Sequence, residues 1–140
     1  MPRGKTWRGV HRILTDPDAL QRFLDIAPSK YHGLHFCQGT VSEMLDKPGE
    51  QIYDVIREFG RRGKIFNVHF RNIRGKAPHY KETFVDEGDV DMLRVLQILK
   101  RNNYRGVLIP DHAPQMACAA PWHAGMAYAC GWMKAALQTM

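Results

Sequence analysis

Long apolar runs are missing from this chain of 140 residues. No stretch approaches the ~18 consecutive apolar residues of a transmembrane helix, so no membrane role is expected. The opening MPRGKTWRGV is positively charged but has no apolar stretch behind it, which argues against a secretory signal. Cysteine is scarce: Cys37, Cys118 and Cys130 are too few and too scattered for a disulfide framework. A reducing, cytoplasmic setting follows. Zinc-finger spacing and an aromatic-rich RNA-binding signature are both absent.

What is present is ordinary for a globular domain, with 44% hydrophobic and 24% charged residues. The net charge of +6 is dispersed. Arg3, Lys5, Arg8 and Arg12 lie in a leader, Arg57, Arg61, Arg62 and Lys64 around an expected helix end, and Arg71, Arg74 and Lys76 in an expected loop. Cations at a helix carboxyl end meet its dipole favourably, which explains the second group structurally. The dispersion argues against nucleic acid and for an anionic small molecule. Residues 1–12 read as a basic leader and 13–140 as one domain.

Thr15-Asp16-Pro17-Asp18 signals a helix start, with Thr15 as the capping hydroxyl and Leu20, Phe23 and Leu24 as the apolar stripe. Gly39 to Ser42 reads as a turn. A second helix is expected from about Gly49 to Phe59, carrying Ile52, Val55, Ile56 and Phe59. The span from Arg71 to Gly88 lacks periodicity and reads as a long loop, of a length that is usually functional or disordered. A third helix starts near Asp89, and Trp122 to Leu137 makes a last one with Met126, Cys130, Met133 and Leu137 on one face. In the strand between the second and third helices' positions, Phe66, Val68 and Phe70 suit packing against helices, while Ile65, Asn67 and His69 suit a barrel lumen.

Helix-strand alternation predicts a parallel α/β sheet. Each strand-like run ends on a metal-binding residue type: Leu34-His35-Phe36-Cys37, Ile65-Phe66-Asn67-Val68-His69, and Val107 to Asp111-His112. Barrel enzymes build their sites at the carboxyl ends of strands. Cys37, His69 and Asp111 together offer a thiolate, an imidazole and a carboxylate, a workable mixed-ligand set. Taken singly, Cys37 also suits a buried core position and His69 a satisfied structural one. His112 points away from Asp111 if the strand stays regular, and could act as general acid or base or simply cap the loop. The acids from Glu82 to Asp91 suit either a solvated loop or the binding of substrate hydroxyls. Trp122-His123 could close over the site, with Trp122 more naturally a core anchor.

Tyr31 to Gly39, Gly63 to Asn72, Glu82-Thr83-Phe84 to Asp91-Met92, and Pro110-Asp111-His112 together resemble the D-mannonate dehydratase family, from about Arg12 to the chain's end. The resemblance implies the carboxyl-terminal part of a (β/α)8 TIM barrel, xylose-isomerase-like, with about three strands and four helices. A whole barrel takes about 250 residues. It implies a lyase converting D-mannonate to 2-keto-3-deoxy-D-gluconate with a divalent metal, Mn2+ or Fe2+, here a truncated form that is weakly active or inactive; open strand faces and edges favour a homo-oligomer. Alternatives are a non-catalytic oligomerising half-barrel module, or another metal-dependent sugar isomerase-like barrel. By the same resemblance Cys37, His69 and Asp111 are ligands and His112 transfers protons, while Arg71, Glu82, Asp86 and His123 hold substrate. The family's further histidine ligand has no counterpart here, and its tyrosine after the Asp-His pair falls in Ala120-Pro121-Trp122-His123, so its role is either lost or taken by another group such as His123.

Overall fold

In the computed structural model, Thr6–Trp7 and residues 9–140 are described; Arg3, Lys5 and Arg8 of the basic leader lie outside the described residues. A small antiparallel ribbon of β1 (Thr6–Trp7) and β2 (Val10–His11) precedes helix α1 (Pro17–Ile26). The cap of α1 differs from expectation. Asp16, not Thr15, caps it, accepting from the Ala19 N–H at 2.8 Å, while the Thr15 hydroxyl donates to Asp16 at 3.2 Å and steadies the cap. Leu20 and Leu24 are buried; Phe23 lies at the exposed rim, edge-on to the ring of His32.

Strands β3 (Leu34–Cys37), β4 (Ile65–His69) and β7 (Val107–Ile109) form one parallel sheet with β4 in the middle. Between β3 and β4 run α2 (Gln38–Met44) and α3 (Pro48–Arg61). Gly39 to Ser42, expected to be a turn, is therefore helical. Its helix buries Gln38, Gly39, Val41 and Ser42, so tertiary packing overrides the turn-like composition. Helix α3 turns Ile52, Tyr53, Ile56 and Phe59 inward and is followed, just past its carboxyl end, by Gly63, whose φ of +64° is the left-handed conformation glycine adopts without strain.

The span from Arg71 to Gly88 is not structureless. It contains an antiparallel hairpin, β5 (Ile73–Lys76) paired with β6 (His79–Glu82), turning at a cis Ala77–Pro78 bond. Its anchor is the buried Asn72, whose Nδ2 donates to the carbonyls of Val85 and Val90 and whose Oδ1 accepts from the N–H groups of Ile73 and Val90. Helix α4 (Met92–Arg101), capped by the Asp91 carboxylate, buries Met92, Val95, Leu96, Ile98 and Leu99. Helix α5 (Pro121–Gln138) buries Gly125, Ala129, Met133 and Ala136, whereas Cys130 and Leu137 are exposed, so its inner face is rotated from the expected one. Trp122 is 56% exposed and is no core anchor.

The sheet's two faces differ. Leu34, Phe36, Val68 and Phe70 lie on the helix side and are buried. Burying each of these side chains contributes roughly 1.5–3 kcal/mol. On the other face, register aligns His35 with Asn67 and Val107, and Cys37 with His69 and Ile109. One residue breaks the alternation expected for β4. Leu34 pairs with Ile65 and His35 with Asn67, so Phe66 is the extra residue of a bulge. The bulge puts Ile65 in the core and leaves Phe66 42% exposed, reversing the sides expected for both.

Candidate metal centre

Three strand ends in register bring the candidate ligands together. Cys37 closes β3 and His69 closes β4, aligned as neighbours. Asp111 follows β7 by two residues, after Pro110 has ended the strand. One donor atom from each of the three lies within 4.8 Å of the others, and all three residues are partly buried. His69 Nδ1 stands 3.0 Å from Asp111 Oδ2. Burial moves His69 below its ordinary pKa against the pull of Asp111, helped by the nearby His35 and His112. The imidazole is therefore neutral near neutral pH, the form that ligates metals. A thiolate, an imidazole and a carboxylate converging from three rigid strand ends fit a divalent transition ion.

His112 does not point away from Asp111. The strand has ended at Ile109, so pleat alternation no longer applies, and His112 Nε2 lies 3.3 Å from Asp111 Oδ2. Its other ring nitrogen, Nδ1, is 3.2 Å from Glu82 Oε1. Glu82 in turn is clamped by Arg71, whose Nε lies 3.1 and 2.9 Å from the two carboxylate oxygens and whose Nη2 also donates to Oε1. The Arg71 side chain, expected at the substrate, is only 4% exposed. Nη2 also reaches Glu43 at 2.9 Å, and Nη1 reaches Thr40 Oγ1 at 3.3 Å and Cys37 Sγ at 3.5 Å. Thr40 adds a hydroxyl donor to the same sulfur at 3.1 Å. The guanidinium lies across Gly39, where a Cβ would come within 2.8 Å of it, so α2 needs glycine there.

Electrostatics separate the two acids on Arg71. Burial works to raise Glu82, but the hydrogen bonds and charge of Arg71, with His112, outweigh it and hold the carboxyl below its ordinary pKa. For Glu43, burial outweighs Arg71 and the pKa rises. Burial opposes the charge on Arg71, but its hydrogen bonds and ion pair with Glu82 prevail and raise its pKa. Beside Arg71 and His112 opens a cavity of about 720 Å³, bordered also by Arg12, Glu43 and Tyr80, ample for a small polar ligand.

Cys37, His69, Arg71, Glu82, Asp111 and His112 thus form one connected set of contacts. Asp86 and His123 fall outside it. Asp86 accepts from the Tyr128 hydroxyl at 2.8 Å, and His123 stands exposed in the first turn of α5. Sequence reasoning missed Thr40 and Glu43, which sit on the face of α2 toward Arg71 once that segment is read as a helix. It also missed His35, whose ring lies edge-on to His69 with centroids 3.9 Å apart. His35 precedes Cys37 by two residues, so the two-residue strand period could have placed it on the ligand face.

Comparison with known proteins places the chain in a family. The family model of D-mannonate dehydratase (UxuA) matches residues 2–134. Mannonate dehydratase of Oceanobacillus iheyensis is 37% identical over 112 residues, and that of Thermotoga petrophila 31% identical over 107 residues. Each match covers 74% of this chain and 29% of the relative, so the chain spans less than a third of the length of these relatives. The crystal structure of mannonate dehydratase from Streptococcus suis serotype 2 superposes with a TM-score of 0.78 at 25% identity, covering 94% of this chain and 39% of that one. The α/β architecture with its parallel sheet and five helices is thus a barrel-like part of that fold, and the chain belongs to the D-mannonate dehydratase family.

Proposed function

We propose that this chain carries a divalent-metal centre for the dehydration of D-mannonate to 2-keto-3-deoxy-D-gluconate, with Cys37, His69 and Asp111 as ligands and His112 as the proton carrier. One observation carries the reading: the three donors converge within 4.8 Å at adjacent parallel strand ends. Membership of the D-mannonate dehydratase family, rather than the donor set itself, points to Mn2+ or Fe2+ as the ion. When bound, the ion would polarise the sugar acid's carboxylate and neighbouring hydroxyl. The proton on the carbon beside the carboxylate then passes to a base, and the hydroxyl on the next carbon leaves as water after protonation. The 3.3 Å between His112 Nε2 and Asp111 Oδ2 supports giving His112 this proton.

Metal content decides between ligand and core roles. Purified chain loaded with Mn2+ should retain one ion, and His69→Ala and Asp111→Ala should each lose it. Full retention by both variants would sink the metal reading. Turnover of D-mannonate by the metal-loaded chain should be slow, because the face carrying His35, Asn67 and Val107 is open among the described residues and parallel sheets function with both faces covered. A second reading, pairing of two copies through that sheet, draws on Val107, 63% exposed at one edge. Sedimentation at rising concentration tests it, and a monomer throughout would reject it.

A further inference from the structure

The contacts around Arg71 run in one direction that the metal reading leaves unused: from a buried guanidinium, through Glu82, to the far nitrogen of His112. Arg71 has little exposed surface with which to hold a substrate. Its side chain is 4% exposed and its donors are engaged by Glu82, Glu43, Thr40 and Cys37. Glu82 is likewise committed, because both of its oxygens lie within hydrogen-bonding reach of Arg71 Nε. The oxygen that faces His112 is Oε1, 3.2 Å from Nδ1.

An ionised carboxylate only accepts hydrogen bonds. Glu82 is therefore matched to an imidazole that carries its proton on Nδ1. Nδ1 makes a hydrogen bond to Glu82, whereas the 3.3 Å approach of Nε2 to Asp111 Oδ2 is a close contact without one, so the ring is left with Nε2 as its proton-accepting atom. The logic is that of a carboxylate that fixes the tautomer of a catalytic histidine. Arg71 supplies what Glu82 needs for this task, a fixed orientation and a counter-charge in a place short of water.

We propose that Arg71 and Glu82 are positioning residues rather than substrate contacts: Arg71 locks Glu82, and Glu82 holds the proton of His112 on Nδ1 so that Nε2 faces the reaction. The same guanidinium touches Cys37 through Nη1, so a single buried cation orients one ligand and the proton carrier together. The inference rests on the proton-carrier role given to His112 above, but its test does not depend on turnover.

The experiment reads the ring nitrogens directly. The full chain, labelled with 15N histidine, is observed by NMR at about pH 8, where an ordinary imidazole is neutral. The His112 signals are assigned with His112→Gln. Spectra are recorded with and without zinc, a diamagnetic probe ion. In wild type the proton sits on Nδ1 of His112. In Glu82→Ala it leaves Nδ1, since the acceptor on that side is gone while Asp111 remains on the other. Glu82→Gln, which keeps a side-chain carbonyl oxygen, retains the Nδ1 proton in at least part of the population. Asp86→Asn, on the neighbouring loop, leaves the His112 signals unchanged.

A wild-type His112 without a proton on Nδ1 would overturn the proposal. So would a Glu82→Ala chain that folds and keeps Nδ1 protonated as before. If Glu82→Ala does not fold, the wild-type spectrum and Arg71→Lys decide. Arg71→Lys keeps the charge but not the fork, and should broaden or split the His112 signals; a wild-type spectrum from it would remove Arg71 from the proposal. Zinc uptake is scored in the same samples. Its failure would sink the metal site and leave the Nδ1 result standing.

Discussion

Replacing Arg71 with alanine should destabilise the fold more than most single changes, and the loss should depend on pH. In wild type the guanidinium is 4% exposed and lies between Glu43 and Glu82, whose side chains are 12% and 26% exposed. Arg71→Ala leaves two carboxylates close together in a half-buried place with no counter-charge. Breaking a buried ion pair by removing one partner costs roughly 3–5 kcal/mol. Both acids retain some water, so the low end applies, about 3 kcal/mol. For a domain of this size that corresponds to a fall in Tm of about 10 °C. Arg71→Lys keeps the charge but loses the bidentate fork, and should cost roughly 1–2 kcal/mol.

The sign of the pH dependence follows from the two acids. Glu82 has a folded pKa below its ordinary value, so it adds stability that is present above that ordinary value and lost as pH falls through the folded one. Glu43 has a folded pKa above its ordinary value, so its penalty accrues as pH rises through that window and is relieved as pH falls. Without Arg71 both acids move up and both are penalised at pH 7. Protonation near pH 4 relieves both. The gap between wild type and Arg71→Ala is therefore widest near neutrality and narrows toward about pH 4. Urea midpoints at the two pH values measure it, and a gap equal at both, or below about 1 kcal/mol at pH 7, would refute the reasoning. Arg71→Met combined with Glu82→Gln should recover part of the loss, because a buried ion pair is replaceable by neutral groups.

Two phenylalanines on neighbouring strands should respond differently. Phe36→Ala, at 2% exposure, costs roughly 3–5 kcal/mol, and Phe66→Ala, on the bulge at 42% exposure, about 1 kcal/mol, both read from urea midpoints; similar costs would mean that Phe66 packs inward. Asp16→Ala should lower stability by about 1 kcal/mol and Thr15→Ala by less, the reverse of a threonine-capped helix. Tyr104, held by burial up to about 12, should ionise last in an absorbance titration, and Tyr104→Phe should remove that late step. Loss of an early step instead would show the phenol open to water.

What the sequence disclosed about the site was whatever depended on short-range periodicity. Cys37 and His69 end runs whose strand character is local, and a parallel sheet aligns such ends by its own hydrogen bonding. Asp111 and His112 were placed by the same argument, but their relative orientation was not, because Pro110 releases the pleat that would have separated them. The bulge at Phe66 was invisible for a related reason. It is a property of the pairing of two strands, and nothing in Ile65-Phe66-Asn67 alone sets which residue is extra.

Helix α2 and the β5–β6 hairpin were missed for a different reason, and the two misses are linked. Gln38 to Met44 contains glycine, threonine and serine, so its local preference is weak, and Ile73 to Glu82 alternates too little to read as strands. Each is stabilised by the other. Arg71 at the hairpin's root packs across Gly39 and donates to Thr40 and Glu43 on α2, while the Gln38 side chain donates back to the Arg71 carbonyl at 3.4 Å. Such mutual support is long-range, so window-based reading cannot weigh it. The same residues orient Cys37 and His112. The least legible part of the fold is therefore the part that contacts the legible candidate ligands, and Arg71 is where the two meet.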